Sequence, residues 1–264
     1  MARAGRVAIR VATLAVLAFL YLPIGIIALY AFNQSRAQTW PILNFTTDWF
    51  GVAFANDDLH SAIILSVEVG VAATLVAVIL GTLAALALHR FAFFGRDAIS
   101  FLFVLPIALP GIVTGMALSA TINASGIGFS AFTIAAGHAT FCIVVVFNNV
   151  IARLRRTSRT IEEASMDLGA DAVQTFRYVT FPMVRTALLA GGLLAFALSF
   201  DEVVVTRFTA GTDSTLPIWI FTTLFKPTQR PIVNVAALLV IVISIVPVYL
   251  AQRLSSDTTG VTSR

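Results

Sequence analysis

Long apolar runs alternate with short polar segments along this chain, and that alternation governs everything else that can be read from it. The runs that qualify as membrane spans cover roughly 11–32, 61–88, 98–122, 131–150, 184–206 and 232–250. A hydrocarbon core about 30 Å thick takes about 20 apolar residues in a helix. Backbone groups in lipid must be hydrogen-bonded within the segment, so each run is expected to be helical. The alternating segments of about ten residues that mark a transmembrane barrel are absent. The expected fold class is therefore all-α, with six transmembrane helices in one domain, 1–264. Pro23 should bend the first span, and Pro106 and Pro110 the third. The first run is too long for a signal-peptide core and no small-x-small cleavage site follows it, so it is expected to be retained.

Composition agrees with this pattern. The chain is 58% hydrophobic and only 11% charged, and such an excess of apolar surface is solvated by lipid rather than water. The basic balance, with a pI of about 9.8, is explained by its distribution, and no soluble domain exists to carry a nucleic-acid-binding face. One side of a six-helix chain holds Arg3, Arg6, Arg10, Arg90, Arg96, Arg153, Arg155, Arg156, Arg159, Arg177, Arg185, Arg253 and Arg264. The other holds Arg36, Arg207, Lys226 and Arg230. Thirteen against four places both termini in the cytoplasm by the positive-inside rule. The segments 33–60 and 207–231 then face outward, the first with Trp40 and Trp49 suited to an interface, the second with an apolar stretch too short to span.

The longest cytoplasmic segment, 151–183, is polar yet helically patterned. Glu162 and Glu163 suit the first turn of a short helix after Ser158 or Thr160. Gly169 stands where a left-handed residue would end that helix. Asp171 can cap a second, running to the turn before Pro182. Two short amphipathic helices lying under the membrane are expected. A connector between spans has no need of some thirty residues with their own caps, so the segment reads as a docking element for another protein.

Within it, Glu163-Ala164-Ser165, three residues, Gly169, nine residues and Val179-Thr180-Phe181-Pro182 resemble the EAA signature of bacterial ABC importer permeases. The family pattern is E-A-A, three residues, G, nine residues, I-x-L-P, and this chain departs from it at Ser165, Val179 and Phe181. Further stretches, among them "LPIALPGIVTG", "GHATFCIVVVFNNVIARLRR", "LAFALSFDEVVVTRF" and "TLPIWI", are similar to the PotC-like permeases of spermidine/putrescine importers. The resemblance covers nearly the whole chain. It implies a type I importer permease fold in a bacterial inner membrane, with a cytoplasmic coupling helix between helices 4 and 5. The residues it assigns to contact with the ATPase are Glu162, Glu163, Ala164, Ser165, Asp167, Leu168, Gly169 and Pro182. It also implies a second permease chain in a heterodimer, two copies of a cytosolic ABC ATPase and a periplasmic solute-binding protein.

Candidate substrate-path residues come from charge in the membrane. Ionisable groups within lipid are costly and are functional candidates by default. Glu68, Asp201 and Glu202 all fall in the outer half of their runs, where an entering cation first meets protein. Carboxylates there favour a small organic cation such as a polyamine, with another small organic solute as the alternative. The chain lacks a GxxxxGK[ST] loop, so ATP and Mg are expected on the partner ATPase, with no catalytic residue and no cofactor here. An ion-coupled secondary transporter would show repeated halves with interrupted helices, which are not evident. Cys142 has no cysteine to pair with. His60 beside Asp57 and Asp58 in the polar outer segment is too thin a ligand set for a metal.

Overall fold

The computed structural model describes residues 2–158 and 160–256, so Arg159 and Arg264 of the charge count lie outside the described residues. The described chain is almost entirely helical, with a single isolated bridge between Asn33 and Phe45 as its only β pairing. Among the described residues, four helical segments are long and apolar enough to cross a membrane: Gly5–Ala31, Asp57–Arg90, Ala131–Arg155 and Ala172–Phe200. They belong to α1 (Ala2–Ala31), α3 (Asp57–Arg90), α6 (Ala131–Arg155) and α9 (Phe181–Phe200). The chain forms two compact units, Met1–His60 with Trp219–Arg264, and Ser61–Ile218, a division that no shift in composition announces.

In the first unit α1 packs along α12 (Arg230–Ser256), and the short α2 (Asp48–Phe54) also packs on α12. The polar stretch between α1 and α2 is tied down by side chains of α2 and α12. The Trp49 indole donates to the Asn33 carbonyl at 2.9 Å, and Asn234 on α12 donates to the Gln38 side chain at 2.9 Å. Leu14, Phe19 and Leu22 on α1 stand more than half exposed, a stable arrangement only in an apolar solvent. Pro23 lies inside α1 without interrupting it.

The second unit is built on α6, which packs against α9 and against the C-terminal half of α3. Ala77, Ala85, Cys142, Val146, Phe147, Val150, Val184 and Ala195 form its core. Close approach depends on Gly81: a Cβ there would lie 2.9 Å from the Ile143 carbonyl oxygen and 3.0 Å from the Phe147 nitrogen. Small residues at crossings of this kind let two backbones touch in lipid.

Two spans differ from their apolar runs. The third run is two helices, α4 (Arg96–Ala108) and α5 (Gly111–Ser125), separated at Leu109, whose backbone is extended with φ −81° and ψ 140°. The cause is Pro110: its ring bars the preceding residue from helical geometry. Pro106, by contrast, is accommodated within α4. The fifth run ends at Phe200; Asp201 and Glu202 sit in a turn, and a short α10 (Val204–Thr209) follows. The outer stretch beyond it holds α11 (Leu216–Leu224) and a 3-10 turn, Pro227–Gln229. At the start of α3, Asp57, Asp58 and His60 are helical, not in the solvated loop expected from sequence, and no cluster of metal-ligating side chains occurs among the described residues.

Candidate coupling loop and substrate-path carboxylates

The segment after α6 begins with α7 (Thr160–Asp167), whose first turn carries Glu162 and Glu163. It ends as its sequence requires. Gly169 has φ +90°, its N–H donates to Met166 O at 2.9 Å, and Ala170 N–H donates to Ser165 O at 3.1 Å. This pair of bonds around a left-handed residue is a Schellman motif. Asp171 then caps α8 (Ala172–Thr175): its carboxylate accepts from Gln174 N–H at 2.8 Å while its own N–H donates to the Gln174 side chain at 3.0 Å. The reciprocal pair is a capping box.

The second helix departs from expectation. It does not stop before Pro182 but runs into α9, so that Ala172–Phe200 is one continuous helix. The accommodation is a π-turn at Phe176–Thr180, in which Phe181 N–H reaches Phe176 O. Proline lacks an N–H and its ring clashes with the carbonyl four residues back; widening the preceding turn removes that clash. Only α7 is therefore a separate short helix, while α8 is the first turn of a membrane helix.

The two adjacent glutamates have opposite fates. Glu163 is exposed, as are Ala164, Asp167, Gly169 and Pro182, with Ser165 half-buried. Leu168, at the turn, is 90% exposed, and Ile161, Met166 and Val173 add to the outward apolar surface. Glu162 instead is buried. Its Oε1 accepts from Arg90 Nη2 at 2.9 Å and from Thr180 Oγ1 at 2.6 Å, and the same Arg90 nitrogen donates to Thr180 Oγ1 at 3.0 Å. Burial raises the pKa of this carboxyl, but the hydrogen bonds from Arg90 and Thr180 and the charges of Arg90 and His89 outweigh it, holding Glu162 below the usual carboxylate range. Across the loop, Ser165 and Thr175 hydroxyls meet at 3.2 Å, and Arg153 Nε donates to Met183 O at 3.0 Å. Neither Arg90 nor Thr180 stood out in the sequence, because nothing local in the chain signals a contact between positions 72 and 90 residues apart.

The candidate substrate-path acids are not brought together. Asp201 lies exposed just past the end of α9. Glu202 is half-buried and its Oε1 accepts from Val205 N–H at 2.9 Å, capping α10. Glu68 is exposed on α3. Gly70 faces Phe196 of α9, and two residues turn a helix by about 200°, so Glu68 leaves α3 on the side away from α9. No hydrogen bond or ion pair among the described residues joins Glu68 to Asp201 or Glu202. The break at Asp201 is instead anchored from α6. His138, fully buried on α6, bonds Ser199 Oγ of α9 at 2.8 Å through Nδ1 and Thr206 Oγ1 of α10 at 2.8 Å through Nε2.

Helices of this length and apolarity define a membrane protein. Residues 77–259 match the family described as the binding-protein-dependent transport system inner membrane component, and the chain belongs to that family: it is a non-catalytic permease subunit of an ABC transporter. It is 37% identical over 232 residues to the putrescine transport system permease protein PotI of Escherichia coli (strain K12), covering 84% of this chain and 82% of that protein. It is 35% identical over 242 residues to the spermidine/putrescine transport system permease protein PotC of Haemophilus influenzae, covering 91% and 93%. Among solved structures, a bacterial ABC transporter involved in the import of the acidic polysaccharide alginate superposes with a TM-score of 0.76 at 17% identity, covering 95% of this chain and 96% of that one. That likeness speaks for the fold alone.

Proposed function

We propose that this chain, with a partner permease, forms the path by which a small organic cation of the polyamine class, such as putrescine or spermidine, enters a bacterial cell across the inner membrane. A periplasmic binding protein delivers the cation and two copies of a cytosolic ABC ATPase drive its transfer, with ATP and Mg held there. The substrate class rests on the identity to polyamine permeases along most of the chain. In this reading the six spans are α1, α3, the α4–α5 pair, α6, α9 and α12, with both termini cytoplasmic, as the thirteen-to-four asymmetry favours.

The observation that carries the mechanism is the loop from α7 to Pro182. Its helix ends are satisfied internally by the Schellman bonds and the capping box. Its apolar residue Leu168 nonetheless points outward at 90% exposure. A rigid element that exposes a large apolar side chain outside the spans is suited to seating in a partner's groove. Here that partner is the ATPase, and Glu163, Ala164, Ser165, Asp167, Leu168 and Gly169 form the contact. Glu162 belongs to the same element but works from its buried side.

Of the three candidate acids, Asp201 is the one the geometry leaves available to a cation. Its carboxylate is exposed at a helix break, whereas Glu202 is occupied as a cap and Glu68 turns away from α9. An ammonium 4 Å from such a carboxylate gains about 1 kcal/mol in water and about 4 at an effective dielectric of 20. The test is uptake of a labelled diamine into vesicles containing the complete transporter, at equal expression. Asp201→Asn should slow uptake with little loss of thermal stability, and Glu202→Gln should act mainly through stability. Wild-type uptake in Asp201→Asn would remove the residue from the path. Indifference of the wild-type transporter to diamines, with uptake of another organic solute, would remove the polyamine assignment.

A further inference from the structure

The ring of Arg90, Glu162 and Thr180, buried at Glu162 and Thr180 and half-buried at Arg90, joins three elements that follow one another only distantly in the chain. Arg90 is the last residue of α3, Glu162 lies in the first turn of α7, and Thr180 ends the π-turn that leads into α9. Each member bonds both others, at 2.9, 3.0 and 2.6 Å. Arg90 and Glu162 form an ion pair at 2.9 Å.

Such a ring is poorly explained as glue. A buried ion pair gains little over well-packed apolar groups, but losing one member leaves a buried charge and is strongly unfavourable. What it supplies is fixed direction: a planar guanidinium donating to two acceptors holds their relative position. An arginine that served only the charge asymmetry of the membrane would need no buried partners. Meanwhile α7 itself is short and touches the rest of the second unit through few groups, so a push on its outer face needs some rigid route to the spans.

We propose that Arg90 is a positioning residue that locks α7 to α3 and α9 at once, so that displacement of the loop moves both spans together. This rests on the coupling role of the loop. The ring is the route: from the outer face of α7 through Glu162 to Arg90 and α3, and through Thr180 into the π-turn and α9.

The experiment uses the complete transporter, permease partner and ATPase included, reconstituted with the binding protein, and reads diamine transported per ATP hydrolysed. A loss of folding lowers both quantities together and leaves their ratio alone, whereas a broken lock lowers the ratio. Arg90→Gln and Glu162→Gln should each reduce it severalfold, since each removes the ion pair that ties α7 to α3. Thr180→Val, which keeps the shape and the ion pair, should reduce it less. The exchange Arg90→Glu with Glu162→Arg should recover part of the ratio, which no loss of charge or bulk alone would do. An unchanged ratio in Arg90→Gln, Glu162→Gln and Thr180→Val overturns the lock, and Thr180→Val decides the matter if the charge variants fail to assemble. Leu168→Ala in the same assay separates the two levels. If it lowers the ratio while the ring variants do not, the loop couples but the lock is wrong. If neither does, the coupling role falls, and the lock with it.

Discussion

Replacing Gly169 by valine isolates the geometry of the coupling loop from its packing. The residue has φ +90°, and a Cβ there meets nothing within 4 Å, so no clash arises and the whole penalty is backbone. A left-handed conformation costs an L residue about 1–2 kcal/mol, more for a β-branched one. That is a factor of roughly 5–30 in the population of the native turn. If the turn rearranges instead, the bonds from Gly169 N–H to Met166 O and from Ala170 N–H to Ser165 O are lost, and Leu168 is no longer presented at a fixed angle. The core around Cys142, Val146 and Val184 is remote from the change, so insertion should survive. Gly95 provides the control: its φ is +85°, a Cβ there also meets nothing within 4 Å, and it sits at the start of α4. Valine at Gly95 carries nearly the same backbone cost without touching the loop. Uptake and ATP hydrolysis in reconstituted vesicles, at matched permease content, should fall for Gly169→Val by a factor of about five or more and change far less for Gly95→Val. Equal losses in the two variants would mean that strain anywhere disables the protein, and no loss in either would mean that the turn does not transmit anything.

Other substitutions probe the scaffold and the charge network. Gly81→Val should drive α3 from α6, since backbone atoms of Ile143 and Phe147 cannot step aside, lowering stability by about 1–3 kcal/mol or more; Gly51→Ala, in open space on α2, should raise it by about 0.5–1 kcal/mol. Thermal unfolding in detergent checks both, and a wild-type melting point for Gly81→Val would contradict the packing described. His138→Ala removes the partner of the buried Ser199 hydroxyl, while Thr206 keeps its bond to the Glu202 carbonyl, a cost of about 1–3 kcal/mol, to be read in the same melt; an unaltered melt would show that the α9–α10 break does not need its anchor. Because the folded-state pKa of Glu162 is depressed, its contribution is complete above the unfolded value of about 4.3 and is lost as pH falls through the lower folded value. Amide protection of α7 should therefore weaken on acidification below about pH 4.3 in the wild type and show no such step in Glu162→Gln; parallel curves would refute the assignment.

Much of this protein was legible before any coordinates. Apolar run length and the clustering of arginine define a helical membrane protein because lipid accepts so few other solutions for a backbone. The end of α7 at Gly169 and the cap at Asp171 were readable too, since both are local: a left-handed residue and a side chain reaching three residues on need no information from elsewhere in the chain. Proline effects were half legible. That Pro110 and Pro182 disturb helices follows from their chemistry, but whether the outcome is a break, as at Leu109, or a π-turn that keeps the helix running, as at Phe176–Thr180, depends on what the neighbouring turns can reach. The fate of Glu162 and Glu163 was not legible at all. Adjacent residues on a helix point about 100° apart, and which one turns inward is set by where α7 lies against Arg90 and Thr180, residues distant in sequence. The same holds for Asp201, Glu202 and Glu68: one run of apolar residues gives no sign that the helix stops at Phe200, that Glu202 is used as a cap, or that His138 on another helix holds the break in place. Composition and local pattern decide solvent, secondary structure and caps, because those depend on near neighbours. Which polar groups meet is decided by the tertiary packing of α3, α6 and α9, because only that packing brings distant donors and acceptors within hydrogen-bonding distance.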